Sequence, residues 1–94
     1  MGSVDFWCRT SGKTAQEAFS EAVKEAQHWH GHNGYTGTIA EKSSFVMFPP
    51  MTLQEIKDNS ETLLDDPRVN GKYDPAGCIQ IAEKDFLFFG WASW

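Results

Sequence analysis

Two runs of consecutive apolar residues, Phe45-Val46-Met47-Phe48 and Phe86-Leu87-Phe88-Phe89, most constrain what this chain can fold into. Both read as strands. They are short, rich in phenylalanine, and bounded by Pro49-Pro50 after the first and the polar Glu83-Lys84-Asp85 before the second. Consecutive strand residues point to opposite faces, so each strand is apolar on both. A chain of 94 residues supports one domain and one modest core. Residues 1–94 are therefore read as a single domain whose sheet carries more apolar surface than helices on one face can cover. Seven Phe and four Trp add to that surplus. Uncovered apolar surface of this extent marks an interface, so a homodimer or a protein partner is expected. The alternative is that segment 68–77 and the terminal Trp94 fold over the second face.

The other elements follow from periodicity and caps. Val4, Phe6 and Cys8 alternate with Asp5, Trp7 and Arg9, which predicts a first strand with Trp7 and Arg9 on the face away from the core. Thr14 and Glu17 form a capping box, and Ala15, Ala18, Phe19, Ala22, Val23 and Ala26 recur at helical spacing up to about Trp29, where Gly31 and Gly34 end the pattern. Thr36 to Glu41 and Phe45 to Phe48 then read as a hairpin around Lys42-Ser43-Ser44. Thr52 with Glu55, and Met51 with Ile56, supply a second capping box and a hydrophobic staple for a helix that stops before Asp66-Pro67. After the irregular stretch 68–77, Cys78 to Ala82 and Phe86 to Trp91 close the chain as another hairpin.

The order is β-α-β-β-α-β-β. It implies an α+β two-layer sandwich, an antiparallel sheet of about five strands with two helices on one face. Thr14-Ala15-Gln16-Glu17 aligns with Thr52-Leu53-Gln54-Glu55, and Ile39-Ala40-Glu41-Lys42 recurs as Ile81-Ala82-Glu83-Lys84. Together the repeats favour an internal αββ duplication.

Charge and cysteine usage narrow the function classes. A formal net charge of -5 repels a nucleic-acid backbone, so direct general DNA or RNA binding is not expected. Cys8 and Cys78 stand in no CxxC pattern and read as reduced thiols. No run is long enough for a membrane span, and the expected location is the cytoplasm. Gly12-Lys13-Thr14 lacks the earlier glycine of a phosphate-binding loop, where Trp7 stands instead.

The candidate ligand- or partner-binding set is His30, His32, Asn33, Tyr35, Thr36 and Thr38, joined by Trp7 and Arg9 of the first strand. Glycines at 31, 34 and 37 let backbone approach a ligand, Tyr35 offers a ring and a phenol, and the two threonines share a strand face if the segment is extended. Such a set suits a small nucleotide or a loop of a partner protein. The competing reading is a glycine-rich turn followed by an edge strand. His28, His30 and His32 resemble a metal trio, but no spaced fourth ligand accompanies them, and they read as helix-terminus histidines; no metal or other cofactor is expected. There is no Gly-x-Ser-x-Gly elbow, and neither cysteine has a histidine nearby in sequence, so the chain is not read as an enzyme.

Gly34-Tyr35-Thr36-Gly37-Thr38-Ile39-Ala40-Glu41-Lys42, Asp66-Pro67-Arg68-Val69, Pro75-Ala76-Gly77 and the ending Phe89-Gly90-Trp91-Ala92-Ser93 together resemble a group of small uncharacterised proteins of bacteriophages and mobile elements. The resemblance covers most of the chain and brings no catalytic roles. It implies a compact phage-type protein acting stoichiometrically against host defence, as anti-CRISPR proteins do, with a bacterial immune protein as partner. Two other readings stand beside it: a sponge for a nucleotide signal using His32 to Thr38, and a metal-dependent hydrolase using the histidines.

Overall fold

The computed structural model describes residues 3–30 and 38–93. In chain order these form β1 (Ser3–Ser11), α1 (Ala15–His30), a single 3-10 turn (Ile39–Glu41), β2 (Phe45–Met47), α2 (Leu53–Asp58), α3 (Ser60–Leu64), β3 (Ala76–Ala82) and β4 (Asp85–Ser93). The strands make one sheet in the order β1-β4-β3-β2. β4 pairs antiparallel with both β1 and β3, whereas β2 runs parallel to β3. The α+β class is as expected. The antiparallel sheet of five strands is not: among the described residues the sheet has four strands and is mixed.

The helices lie on opposite faces, which corrects the two-layer reading and resolves the double-sided strands. Along β4, Phe86, Phe88 and Ala92 join Phe6, Cys78 and the α1 residues Ala18, Phe19 and Ala22 in one core. Leu87 and Phe89 join Ile79, Phe48, Ile56, Leu63 and Val69 in another. The sheet is thus sandwiched between α1 with the 3-10 turn on one side and α2, α3 and the segment carrying Val69 on the other. The face expected to stand open is covered, largely by the second helical pair and partly by part of segment 68–77. That removes the apolar surplus as an argument for association.

Arg68 seals this second core. Its guanidinium lies 4.2 Å from the Phe48 ring centroid and is held by Asp66, whose carboxylate also accepts from the Arg68 backbone N–H. Those hydrogen bonds lower the Asp66 pKa. Trp91 reaches the same layer, donating from Nε1 to the Leu64 carbonyl at 3.1 Å.

Two glycines are set by close approach. A Cβ on Gly77 would meet the Phe89 ring at 2.3 Å, and Gly90, at φ 155°, lies under the Phe6 ring. Neither position tolerates a side chain without repacking.

The expected first hairpin does not form. Ile39 is buried under α1 within the first core, Thr38 caps the 3-10 turn by accepting from the Ala40 N–H, and Lys42 donates to the carbonyls of Lys72 and Asp74. These contacts carry the chain to the far side of β3, where Phe45 pairs with Ala76 in the parallel sense. Ile39-Ala40-Glu41 is therefore a 3-10 turn while Ile81-Ala82 ends a strand, so the αββ duplication is not reproduced in the fold. The second capping box is present as expected, with Thr52 and Glu55 exchanging hydrogen bonds. The single expected helix is broken at Asn59, whose side-chain amide donates to the Glu55 carbonyl at 2.7 Å.

Candidate functional site at the β1 edge

β1 is an end strand of the sheet, and the C-terminal half of α1 passes beside it. Between them lies a cleft of ≈ 290 Å³ lined by Trp7, Cys8, Arg9, Glu25, Trp29 and Thr38 over a floor that includes Phe6 and Ala22. The local sequence explains the placement. Ala22, Ala26 and Trp29 follow one another at spacings of four and three, so Trp29 extends the apolar stripe of α1 by one more turn. Its ring is nevertheless 72% exposed and meets His28 edge-on at 5.2 Å between centroids. Glu17, Glu21 and Glu25 run at intervals of four along the flank that leads to Trp29, all exposed. Glu21 is engaged by Lys24 at 3.7 Å.

Three of the residues singled out from sequence, Trp7, Arg9 and Thr38, thus meet at one cleft. Their chemistry is partly committed. The Trp7 ring is half-buried rather than turned to solvent, stacked on Phe89 at 5.2 Å with 17° between planes, and its Nε1 donates to Asp5 at 2.8 Å. The face away from α1 is a second core, so Trp7 contributes packing as well as a wall. Arg9 donates to Asp85 at 3.1 Å while its side chain stays 55% exposed. The Thr38 hydroxyl accepts from the Ala40 N–H at 3.2 Å.

His30 ends α1, while His32, Asn33, Tyr35 and Thr36 lie outside the described residues. They connect Trp29 to Thr38 along the chain, and both of those residues line the cleft. Sequence reasoning missed Trp29 and Glu25. The available signal was an aromatic on the last turn of a helix whose other apolar residues are mostly alanine.

Among the described residues no group of three or more His, Cys, Asp or Glu is placed to hold a metal. Cys8 and Cys78 both oppose Phe88, from strands on either side of β4. Two strand spacings separate them, roughly 10 Å, beyond disulfide reach. Burial pushes the Cys78 thiol up to about 12, which leaves it protonated and inert. No helix of the described residues is long and apolar enough to cross a membrane. Comparison with protein-family models, curated proteins and solved structures gives no match for the chain.

The cleft combines an exposed indole, a carboxylate flank and one guanidinium already bridged to a carboxylate. That arrangement favours an apolar or cationic surface over a phosphate, because a dinucleotide would place its anions beside Glu25 and compete with Asp85 for Arg9.

Proposed function

We propose that the chain is a non-enzymatic inhibitor of phage type, binding a bacterial immune effector stoichiometrically through the Trp29 end of α1. The observation that carries the reading is Trp29 itself: both faces of the sheet are covered, yet a large aromatic ring stands 72% exposed beside a cleft and at the end of an acidic flank. Exposed indoles of this kind anchor protein interfaces, and a carboxylate surround steers association with basic surfaces. A net charge of -5 suits a nuclease complex whose nucleic-acid channel is basic.

The test is a titration of purified protein into a panel of bacterial CRISPR nuclease complexes with nucleic-acid cleavage as the readout. Stoichiometric inhibition makes the activity of at least one complex fall linearly to an end point at a fixed molar ratio, with Trp29→Ala shifting the curve to weaker inhibition. Complete loss of activity at amounts of the protein far below the complex contradicts the non-enzymatic reading. Unchanged cleavage across the panel contradicts this target class.

A further inference from the structure

β1 has nine residues, pairs with β4 along its whole length without a register shift, and stands at the end of the sheet. Among the described residues β4 is its one strand partner. Natural sheets blunt such edges with proline, lysine, bulges or very short strands. The opposite edge is blunted in this way, because β2 is three residues long and runs into Pro49-Pro50. β1, reading Ser-Val-Asp-Phe-Trp-Cys-Arg-Thr-Ser, has no proline, lysine or bulge, and its two charges, Asp5 and Arg9, are of opposite sign.

We propose that two copies of the chain join through antiparallel β1–β1 pairing about a two-fold axis at Trp7, making one continuous sheet. An axis perpendicular to the sheet keeps the α1 face of one copy continuous with that of the other, so residues that oppose across the seam come from the same face of β1. Few registers remain. Centring on Asp5 or on Arg9 sets like charges opposite each other. Centring on Phe6 places Asp5 against Trp7, and centring on Cys8 places Arg9 against Trp7, with no charge paired. Centring on Trp7 puts Asp5 opposite the partner copy's Arg9 and repeats that pair by symmetry, with the two indoles facing each other and Phe6 opposite Cys8. Opposite charges and aromatic pairs directly across a seam stabilise it, and like charges weaken it.

Asp5 accepts from Trp7 Nε1 through one carboxylate oxygen, at 2.8 Å. Asp5, Trp7 and Arg9 share one face by alternation, and Arg9 remains half exposed although Asp85 already accepts from it. The seam leaves both α1 helices on the same side of the joined sheet and sets each Trp29 beside it, because Trp7, Cys8 and Arg9 line the Trp29 cleft. This inference rests on the β1 edge and not on the target class proposed above.

Light scattering on the purified protein tests it, and a mass of two chains is the expected result. Asp5→Arg and Arg9→Asp each create like-charge pairs at both positions, and each is expected to raise the dimer dissociation constant by at least about tenfold. Mixing the two variants restores opposite charges at both positions, so an equimolar mixture forms a heterodimer although neither variant self-associates. Circular dichroism checks that each variant is folded. A monomeric wild type overturns the proposal, as does a dimer unaffected by Asp5→Arg or a folded pair of variants that stays monomeric when mixed. Wild type that is monomeric alone but shows β1 amides protected by an inhibited nuclease complex would assign the edge to that partner and likewise overturn it.

Discussion

Gly77→Ala tests the packing of the second core at its tightest point. The added Cβ would lie 2.3, 2.4 and 2.9 Å from three atoms of the Phe89 ring. Carbon contacts settle near 3.5 Å or beyond, so the ring must withdraw by roughly 1 Å. It has little room. Phe89 is fully buried, stacked on Trp7 at 5.2 Å and edge-on to Phe48 at 5.2 Å, and Arg68 closes over Phe48. Overpacking a filled core costs about 1–3 kcal/mol, and the absence of slack places this case near the upper end. Alanine recovers about 0.4–1 kcal/mol by restricting the unfolded chain, leaving a net loss of about 2 kcal/mol. For a domain of this size that lowers Tm by about 8–16 °C. The assay is thermal unfolding followed by near-ultraviolet circular dichroism, which reads the loss of ordered aromatic packing. Adding Phe89→Leu to Gly77→Ala should remove much of the penalty, with a coupling of about 1 kcal/mol or more between the two sites. An unchanged or raised Tm in Gly77→Ala refutes the packing argument.

The cysteines give a second prediction: a maleimide labels half-buried Cys8 in the native protein and reaches Cys78 only in denaturant. The Cys78 thiol rises from its ordinary 9.0 to about 12 on folding, so its protonated form is favoured by the fold. Its contribution is complete below pH 9 and is lost as pH rises from there towards 12, which predicts denaturant midpoints that fall across this window and fall less in Cys78→Ala. Nucleotides and cyclic dinucleotides should leave Tm unchanged in a thermal-shift screen; a stabilisation abolished by Arg9→Ala or Tyr35→Ala would move the nucleotide reading to first place.

Much of the fold was legible because it rests on local chemistry. The alternation of Val4 to Arg9, the Thr52–Glu55 capping box and the last hairpin are each written within a few residues of the chain and each forms, although the hairpin read around Glu83-Lys84-Asp85 turns at Glu83-Lys84 alone and Trp7, read as outward, packs on Phe89. What was hidden depends on residues far apart. Phe86 to Phe89 correctly signalled a strand apolar on both sides, but nothing local says which helix takes which face. The same four residues at 39–42 and 81–84 adopt different structures because Ile39 is drawn beneath α1 and Lys42 to the carbonyls of Lys72 and Asp74, contacts that the second copy lacks. The break at Asn59 was written locally, in an amide that competes for the Glu55 carbonyl, yet the apolar spacing on either side masks it. At the site, sequence picked out Trp7, Arg9 and Thr38 without placing them together. Trp29 was passed over because a helix-terminal aromatic is indistinguishable from core until the sheet beneath it is known to end.

Whether Trp29 anchors a protein partner is measured by the affinity of a responsive nuclease complex for the wild type, Trp29→Ala and Tyr73→Ala. Tyr73 is the matched control, 81% exposed on the segment before β3 and lining no part of the cleft. Trp29→Ala is expected to weaken binding by about 2 kcal/mol or more, roughly thirtyfold, with Tyr73→Ala within twofold of wild type. Equal affinities for wild type and a folded Trp29→Ala would rule out Trp29 as the anchor.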